Sequence, residues 1–478
     1  MMDITPMRID GTAVTTAKSA PVRSPFDGRE VGRVPVGSEV DIDRAVEVAL
    51  SRHRGGALPA YQRAEVLDAA VVALQRRQEE LAQCISAESA KPISTARIEA
   101  ARSVDTFRFS AAVARTLTGE TVPMDASAAG VGKLGFTLRV PVGVVAAISP
   151  FNFPLNLVAH KVAPSLAAGC PMVLKPASTT PLTALLLAEI LEDEAGLPPG
   201  WLNVVTVPGR VADHLVTHPD VAAITFTGSP EVGWNIRARA PRKRVGLELG
   251  NNAPVIVHHD ADVAAAAAKV TVGGFSFSGQ TCISVQRVYV HDEVAEVFLA
   301  ELESRVGELV VGDPADPATN VSALISTSET DRVAVAVAEA IEGGAEAVTG
   351  GDRVAAQSGT GLLAPTVLRD VDDDMVVCRT EIFGPVVAVR RYTVLDEAIA
   401  AANDSRYGLQ AGIFTSDLST GIEAAHRLDY GGVCVNEVPT FRSDQMPYGG
   451  IRDSGNTKEG PAWAVREMTE ERMVVIQR

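Results

Sequence analysis

The chain has 478 residues, 46 % of them apolar, too long for a single hydrophobic core and apolar enough to build two or three. Its formal charge of −16 comes from acids spread along the whole length, and without clustered Lys and Arg no nucleic-acid partner is expected. No segment approaches the uninterrupted apolar length a bilayer requires, and residues 1–19 lack a basic stretch followed by an apolar run, so no membrane partner is expected and the reading is a soluble, cytoplasmic protein.

In chain order, a helix is predicted from Asp41, which can cap it, because Ile42, Ala45, Val46, Ala49 and Leu50 fall on one face. More helix follows to about Leu117. Between about 118 and 140 the pattern turns to short, Gly-containing, strand-like pieces that suit an arm rather than a packed layer. Residues 144–148 and 172–175 are apolar runs stopped by Pro150 and Pro176, and Thr180-Pro181 reads as the N-cap and first turn of a helix reaching Ala195. Residues 202–206, 221–226 and 245–249 read as further strands with helical stretches between them. Apolar runs linked by helices imply strands buried on both faces of a parallel, doubly wound sheet.

A second alternation begins at Pro254. Strands are predicted at 255–257, 285–290, 386–391, 412–415 and 433–435, and helices at 292–309 and 328–341. The last piece, 473–477, is a short apolar strand whose unpaired edge would be a liability, which points to pairing with the arm near residue 130 of another subunit and to an oligomer. The predicted fold class is therefore α/β, with two doubly wound units and a small β oligomerisation arm.

Five cysteines, Cys84, Cys170, Cys282, Cys378 and Cys434, are widely separated and form neither a C-x-x-C pair nor a metal-spaced cluster with His, so no metal site is expected. Most free cysteines are small buried hydrophobes, and Cys170 and Cys434 fit that description. Cys282 does not, because it follows a helical stretch and the Gly-containing turn Phe277-Ser278-Gly279-Gln280-Thr281, a context that exposes the thiol beside free backbone N–H groups.

Gly279-Gln280-Thr281-Cys282 resembles the nucleophile motif of the aldehyde dehydrogenase superfamily, and Leu247-Glu248-Leu249-Gly250 resembles its general-base motif at the expected separation. Phe151-Asn152-Phe153-Pro154, Leu174-Lys175-Pro176-Ala177, Phe226-Thr227-Gly228-Ser229 and Glu381-Ile382-Phe383-Gly384-Pro385 match further family motifs in the family's order. The resemblance implies NAD(P)-dependent oxidation of an aldehyde to a carboxylic acid through a thioester on Cys282. It also implies a dinucleotide-binding domain at 1–117 and 141–249, a catalytic domain at 250–455, and an arm at 118–140 and 456–478 that makes a homodimer or homotetramer.

A thiol with an ordinary pKa of about 8.5 is only slightly ionised at neutral pH, so it needs a base or a positive setting. By resemblance Glu248 is that base, for the thiol or for the water that later hydrolyses the thioester; otherwise it is a surface carboxylate at a strand end. The amide of Asn152 and the backbone N–H of Cys282 are the implied donors to the developing oxyanion, although Asn before x-Pro is also an ordinary turn residue. The adduct must then lose hydride, which no side chain accepts, so a nicotinamide is required.

The first unit lacks the usual G-x-G-x-x-G fingerprint, and residues 228–233 supply only part of it. By resemblance Gly228 and Ser229 lie on the pyrophosphate side, Lys175 contacts the adenosine ribose, Glu381 the nicotinamide ribose, and Phe383 packs near the nicotinamide. Ser149 and Gly209 are further implied cofactor contacts. Many NAD-specific relatives carry glutamate where this chain has Ser178, and that carboxylate would repel a 2′-phosphate by about 4 kcal/mol at roughly 4 Å and an effective dielectric near 20. NADP is then expected to be tolerated beside NAD, with a preference for NADP left open.

Residues 156–161, the Phe107-Arg108-Phe109 context and Phe441-Arg442-Ser443 resemble a branch that includes lactaldehyde, sulfolactaldehyde, phosphonoacetaldehyde and non-phosphorylating glyceraldehyde-3-phosphate dehydrogenases. Arg108, Arg442 and His160 are the candidates to hold the anionic or hydroxylated end of a small aldehyde; solvent-facing or structural arginines are an equal alternative. Thr281 stands where some phosphate-binding members place Arg, which counts against phospho and phosphono substrates. Two rival readings are an acylating enzyme that passes the thioester to coenzyme A, and a non-catalytic protein retaining the fold. Glu248 argues against the first, and Cys282, Glu248 and Asn152 together argue against the second.

Overall fold

A computed structural model describes residues 3–354 and 361–477 of the chain. Five parallel strands lie side by side in the order Arg244–Glu248, Val221–Thr227, Val144–Ile148, Met172–Lys175 and Leu202–Val204. The hairpin Met7–Ile9 and Thr12–Val14 adds antiparallel to the Leu202–Val204 edge. Side chains of the central strands alternate between two separate cores: Val145 and Ala147 join one, Val144, Ala146 and Ile148 the other. That period of two, with both faces apolar, is why these segments read as unbroken hydrophobic runs.

The second sheet runs Glu346–Thr349, Thr366–Arg369, Val386–Tyr392, Val285–His291, Ala253–Val257, Gln410–Phe414 and Gly432–Val435, parallel except for the Glu346–Thr349 edge. It too divides its residues, with Val255 and Val257 facing one core and Ile256 the other. The expected fold class, two doubly wound α/β layers with a small additional β sheet, is what the chain forms.

Several local expectations need correction. The first helix is Glu39–Arg54, and Ser38 rather than Asp41 caps it. Asp41 sits one turn in, where its Oδ2 accepts the Ser38 backbone N–H at 2.8 Å, the reciprocal half of a capping box. The helix expected to start at Thr180-Pro181 is Leu182–Glu189, followed by the π-turn Ile190–Glu194. Its first N–H groups, on Leu182 and Thr183, are met by the distant carboxylate of Glu88 at 2.8 and 3.1 Å, a partner no local pattern reveals.

The terminal strand is longer than expected, Thr469–Gln477, and pairs within its own chain, antiparallel to Lys133–Pro141, which in turn pairs with Thr121–Val122. The expected pairing with another subunit is replaced by this intrachain register, Val475 opposite Gly135. Helix Pro461–Glu467, inside the stretch assigned to the arm, packs instead on helices Asn156–Ala168 and Ile93–Thr116. The arm sheet nevertheless leaves Leu138, Met473, Val475 and Ile476 exposed.

Candidate active site

A cleft of about 1160 Å³ opens between the carboxyl ends of the first sheet and the amino ends of the second. Ser149 to Asn152 follow strand Val144–Ile148, Ser178 follows Met172–Lys175, and Gly228 follows Val221–Thr227; Cys282 and Glu381 precede Val285–His291 and Val386–Tyr392. Placing a ligand outside the carboxyl ends of parallel strands is the general rule for such sheets.

The turn before Cys282 is built from unusual backbone. Helix Val263–Phe275 ends, and Phe277, Ser278 and Gly279 take φ values of 48°, 57° and 71°. The two non-glycine residues in this left-handed region are strained and need outside support. Ser278 Oγ donates to the Ser322 carbonyl at 2.8 Å and accepts the Ser322 N–H at 3.0 Å, while Phe277 is buried with the Lys91 ammonium 4.4 Å from its ring centroid. Gly279 is obligatory, since a Cβ there would lie 2.0 Å from the Gly384 carbonyl oxygen. Cys282 emerges from this turn half-buried, its sulfur lining the cleft.

Lys91 ties the turn before Cys282 to the Asn152 loop. It is fully buried, donates to the Asn152 carbonyl at 2.7 Å, lies 3.8 Å from the Phe153 ring centroid, and pairs with Glu99. Glu99 in turn accepts the N–H groups of Leu155 and Asn156 at 2.9 and 3.1 Å. Two hydrogen-bonded opposite charges in the interior thus hold the backbone at Asn152 and just after it. The Asn152 amide donates one N–H to the Gln280 carbonyl at 3.0 Å, which orients the amide and leaves its second N–H.

Glu248 ends strand Arg244–Glu248, and both its carboxylate oxygens are buried without a hydrogen-bond partner. Burial and the neighbouring Glu459 carboxylate raise its pKa well above the usual range, with Arg442, Lys161 and Lys458 pulling the other way. Burial likewise pushes the Cys282 thiol up to about 12, against the pull of a hydrogen bond from Tyr448 and of the Arg442 charge.

The residues expected to hold a dinucleotide line the same cleft: Ser149, Lys175, Ser178, Gly209, Gly228, Ser229, Glu381 and Phe383. Ser149 Oγ is a buried hydroxyl without a partner, and Lys175 is a buried ammonium whose pKa burial alone lowers. Gly209 begins helix Gly209–Thr217 with open space where a side chain would be. Ser229 caps helix Pro230–Arg239, whose N-terminus adjoins the cleft and offers N–H groups to phosphate. Glu381 accepts the Asn251 N–H at 3.0 Å, and burial raises its pKa to about 8. Phe383, at φ 53°, meets Phe151 edge-on at 5.9 Å. Unpartnered donors at several points of an elongated cleft suit a dinucleotide.

The three residues expected at the substrate end are not all brought together. Arg108 is a correction: its side chain is exposed and pairs with Asp105 one turn back on the same helix. The inward arginine of helix Ile93–Thr116 is Arg102, which grips Asp444 through Nε and Nη2 at 3.1 and 2.9 Å. His160 is fully buried with Nε2 2.9 Å from Asp444 Oδ1, and burial, reinforced by Arg442, lowers its pKa to about 4, so it is a neutral strut in this network rather than a charged contact. Arg442 is buried, its guanidinium 3.9 Å from the Tyr448 ring centroid and 2.9 Å from Glu459 Oε2, with its Nε lacking a partner.

Sequence reasoning missed Tyr448, Lys91, Lys161 and Glu459. Burial tends to raise the Glu459 carboxyl, but Lys161 and Arg442 hold it down to about 2. Asp43, His214 and His218 also bring potential ligand atoms within 4.8 Å of one another. His218 Nδ1 accepts the Asp220 N–H at 3.2 Å, and its Nε2 faces Asp43 Oδ1 at 3.4 Å.

Comparison with known proteins gives the family and the fold. A profile of the aldehyde dehydrogenase family matches residues 13–474. The 3-sulfolactaldehyde dehydrogenase of Priestia aryabhattai is 45 % identical over 469 residues, 98 % of this chain and 97 % of that protein. Aldehyde dehydrogenase 21 of Physcomitrella patens, solved with the reaction product succinate, superposes with a TM-score of 0.96 at 38 % identity, covering 100 % and 99 % of the two chains. The NADP-dependent glyceraldehyde-3-phosphate dehydrogenase of Bacillus halodurans, solved with NADP, gives 0.95 at 36 % identity, with 99 % of each chain covered.

Proposed function

The chain belongs to the aldehyde dehydrogenase family and oxidises aldehydes with NAD or NADP; within that activity, we propose that Cys282 is the nucleophile, Glu248 the base and Asn152 the oxyanion donor for a short aldehyde bearing an anionic or hydroxylated end. The carrying observation is that Cys282, Glu248 and Asn152 line one cleft whose remaining polar groups suit a dinucleotide.

The Cys282 sulfur bonds to the aldehyde carbon, and the carbonyl oxygen takes up negative charge. The spare N–H of Asn152 and the backbone N–H of Cys282 are the donors for it, held by the Gln280 carbonyl and by the Lys91–Glu99 pair. When bound, NAD or NADP supplies the two-electron acceptor that no side chain can be. The thioester left on Cys282 is then cleaved by water whose proton Glu248 takes, a role suited to a carboxyl with a raised pKa.

For the substrate, Arg442 supports the reading. Its guanidinium stacks on Tyr448, whose hydroxyl is 2.9 Å from Cys282 Sγ, so a buried cation stands one phenol ring from the nucleophile. A positive charge at that place favours a short aldehyde ending in sulfonate, carboxylate or hydroxyl, in keeping with the sulfolactaldehyde named for one relative and the succinate bound to another. A steady-state screen of small aldehydes with sulfonate, carboxylate, phosphate, hydroxyl or plain alkyl ends tests this. The anionic and hydroxylated members should show the highest kcat/KM; a preference for plain alkyl aldehydes would overturn the substrate class.

Ser178 lies exposed at the adenosine end of the cleft, and we infer that it admits the 2′-phosphate of NADP. Ser178→Glu should shift the NADP-to-NAD ratio of kcat/KM toward NAD by roughly tenfold or more, the effect of placing like charges together at a partly screened site. An unchanged ratio would show that discrimination lies elsewhere.

No helix among the described residues is long and apolar enough to cross a membrane. We place the enzyme in the cytoplasm, in keeping with five free thiols, as a homodimer or homotetramer joined through the exposed apolar face of the arm sheet.

A further inference from the structure

Tyr448 is 2 % exposed, and the one hydrogen bond its hydroxyl makes among the described residues is the 2.9 Å contact to Cys282 Sγ. A buried phenol normally finds an oxygen or nitrogen partner; here it is aimed at the reacting sulfur. The ring cannot drift, because the Tyr448 N–H donates to the Glu459 carbonyl at 3.1 Å and the Glu459 N–H returns to the Tyr448 carbonyl at 2.6 Å. The same Glu459 binds Arg442 at 2.9 Å and Lys161 at 3.3 Å through its carboxylate, and Arg442 lies 3.9 Å from the Tyr448 ring centroid. One residue thus fixes both the backbone of the phenol and the cation on its face.

The charged and titratable groups that face Cys282 make this donor consequential. Burial opposes formation of the thiolate most strongly, Glu381 and Glu248 add to it, and Tyr448 and Arg442 favour it. Arg442 also favours an acidic phenol, since a cation over an aromatic face draws electron density from the ring. Asn152 is engaged with Gln280 and belongs to the substrate oxygen rather than to the sulfur.

We propose that Tyr448 is a further catalytic residue, whose phenol O–H donates to the Cys282 thiolate and holds the sulfur on the Arg442 side of the cleft until an aldehyde arrives. The thiol proton leaves to a water and then to the Glu248 carboxylate or to solvent; the phenol keeps its own proton throughout. When the sulfur bonds to carbon the thiolate lone pair is consumed, and the Tyr448 hydroxyl is released to the adduct. This assignment rests on Cys282 being the nucleophile.

The test is the pH dependence of iodoacetamide alkylation at Cys282 in the full-length protein, followed by peptide-resolved mass spectrometry without cofactor or substrate. Tyr448→Phe removes one oxygen and leaves the ring under Arg442. Its Cys282 alkylation curve should move up by about one pH unit, seen as about tenfold slower reaction at a fixed pH below the midpoint, the usual effect of losing a donor to a charged group. Alkylation of Cys84 and Cys434 in the same samples should be unchanged, which separates a local effect from loosening of the fold. Arg442→Gln should move the curve in the same direction by less. A Tyr448→Phe curve that superposes on the parent, or moves down, overturns the proposal. Turnover of Cys282→Ala is measured alongside: if that variant is inactive while the Tyr448→Phe curve is unmoved, only the role of Tyr448 fails, whereas an active Cys282→Ala overturns the nucleophile assignment itself.

Discussion

Cys282→Ala should lower aldehyde oxidation by at least about 10⁴-fold, the scale seen when a covalent nucleophile is deleted, while dinucleotide affinity stays within about twofold. Alanine removes the sulfur and keeps the backbone N–H of residue 282, so the oxyanion donors, the cleft and its cofactor contacts remain while the bond to carbon cannot form. The strained turn before it is independent of the thiol, since it is held by Ser278 on Ser322, Phe277 against Lys91 and Gly279 against Gly384. Steady-state reduction of the cofactor and a fluorescence titration of cofactor binding check the two halves. Turnover within tenfold of the parent would remove the covalent mechanism.

Glu248→Gln should separate the two halves of the reaction. With the base gone, the first turnover gives a burst of one reduced cofactor per site, and the steady rate then falls by about 10²–10⁴-fold, the contribution expected of a positioned base. The pH profile carries the same information. Burial and Glu459 raise the Glu248 carboxyl well above the usual range, so at low pH it is protonated and cannot accept the proton of water. Turnover of the parent enzyme should therefore climb with pH through that raised pKa, and the glutamine variant should lose this limb. A variant with no burst, or with an undiminished steady rate, would take hydrolysis away from Glu248. Restoration of its rate by coenzyme A alone would favour thiol transfer, the acylating alternative.

The parts of the fold legible in the sequence were those governed by local pattern. Central strands such as Val144–Ile148 and Ala253–Val257 are buried on both faces, so they stand out as apolar runs between turn residues. The short N-terminal strands Met7–Ile9 and Ser19–Arg23 mix polar and apolar residues, with no period long enough to see. Capping of Leu182–Glu189 by Glu88 and folding of the last strand onto Lys133–Pro141 depend on partners distant in sequence.

The candidate site divides in the same way. Cys282, Glu248 and Asn152 were readable because each lies in a distinctive motif. The Phe107-Arg108-Phe109 context points to Arg108 by resemblance, yet Phe107 is fully buried and the next residue turns about 100° away from that face. Arg102 precedes Thr106 by four residues, hence shares its face, and Thr106 Oγ1 bonds to Asn156 Oδ1 at 3.1 Å. Tyr448 and Lys91 carried no signal, since a single Tyr or Lys gains its meaning only from the sulfur or the carbonyl that folding sets beside it.

The most direct test of the central claim is mass spectrometry of Glu248→Gln trapped during turnover of an aldehyde with NAD or NADP. The account predicts one acyl group on the peptide containing Cys282, in step with one equivalent of reduced cofactor. An acyl group on another side chain, or reduced cofactor formed at that stoichiometry with no acylated Cys282, would contradict it.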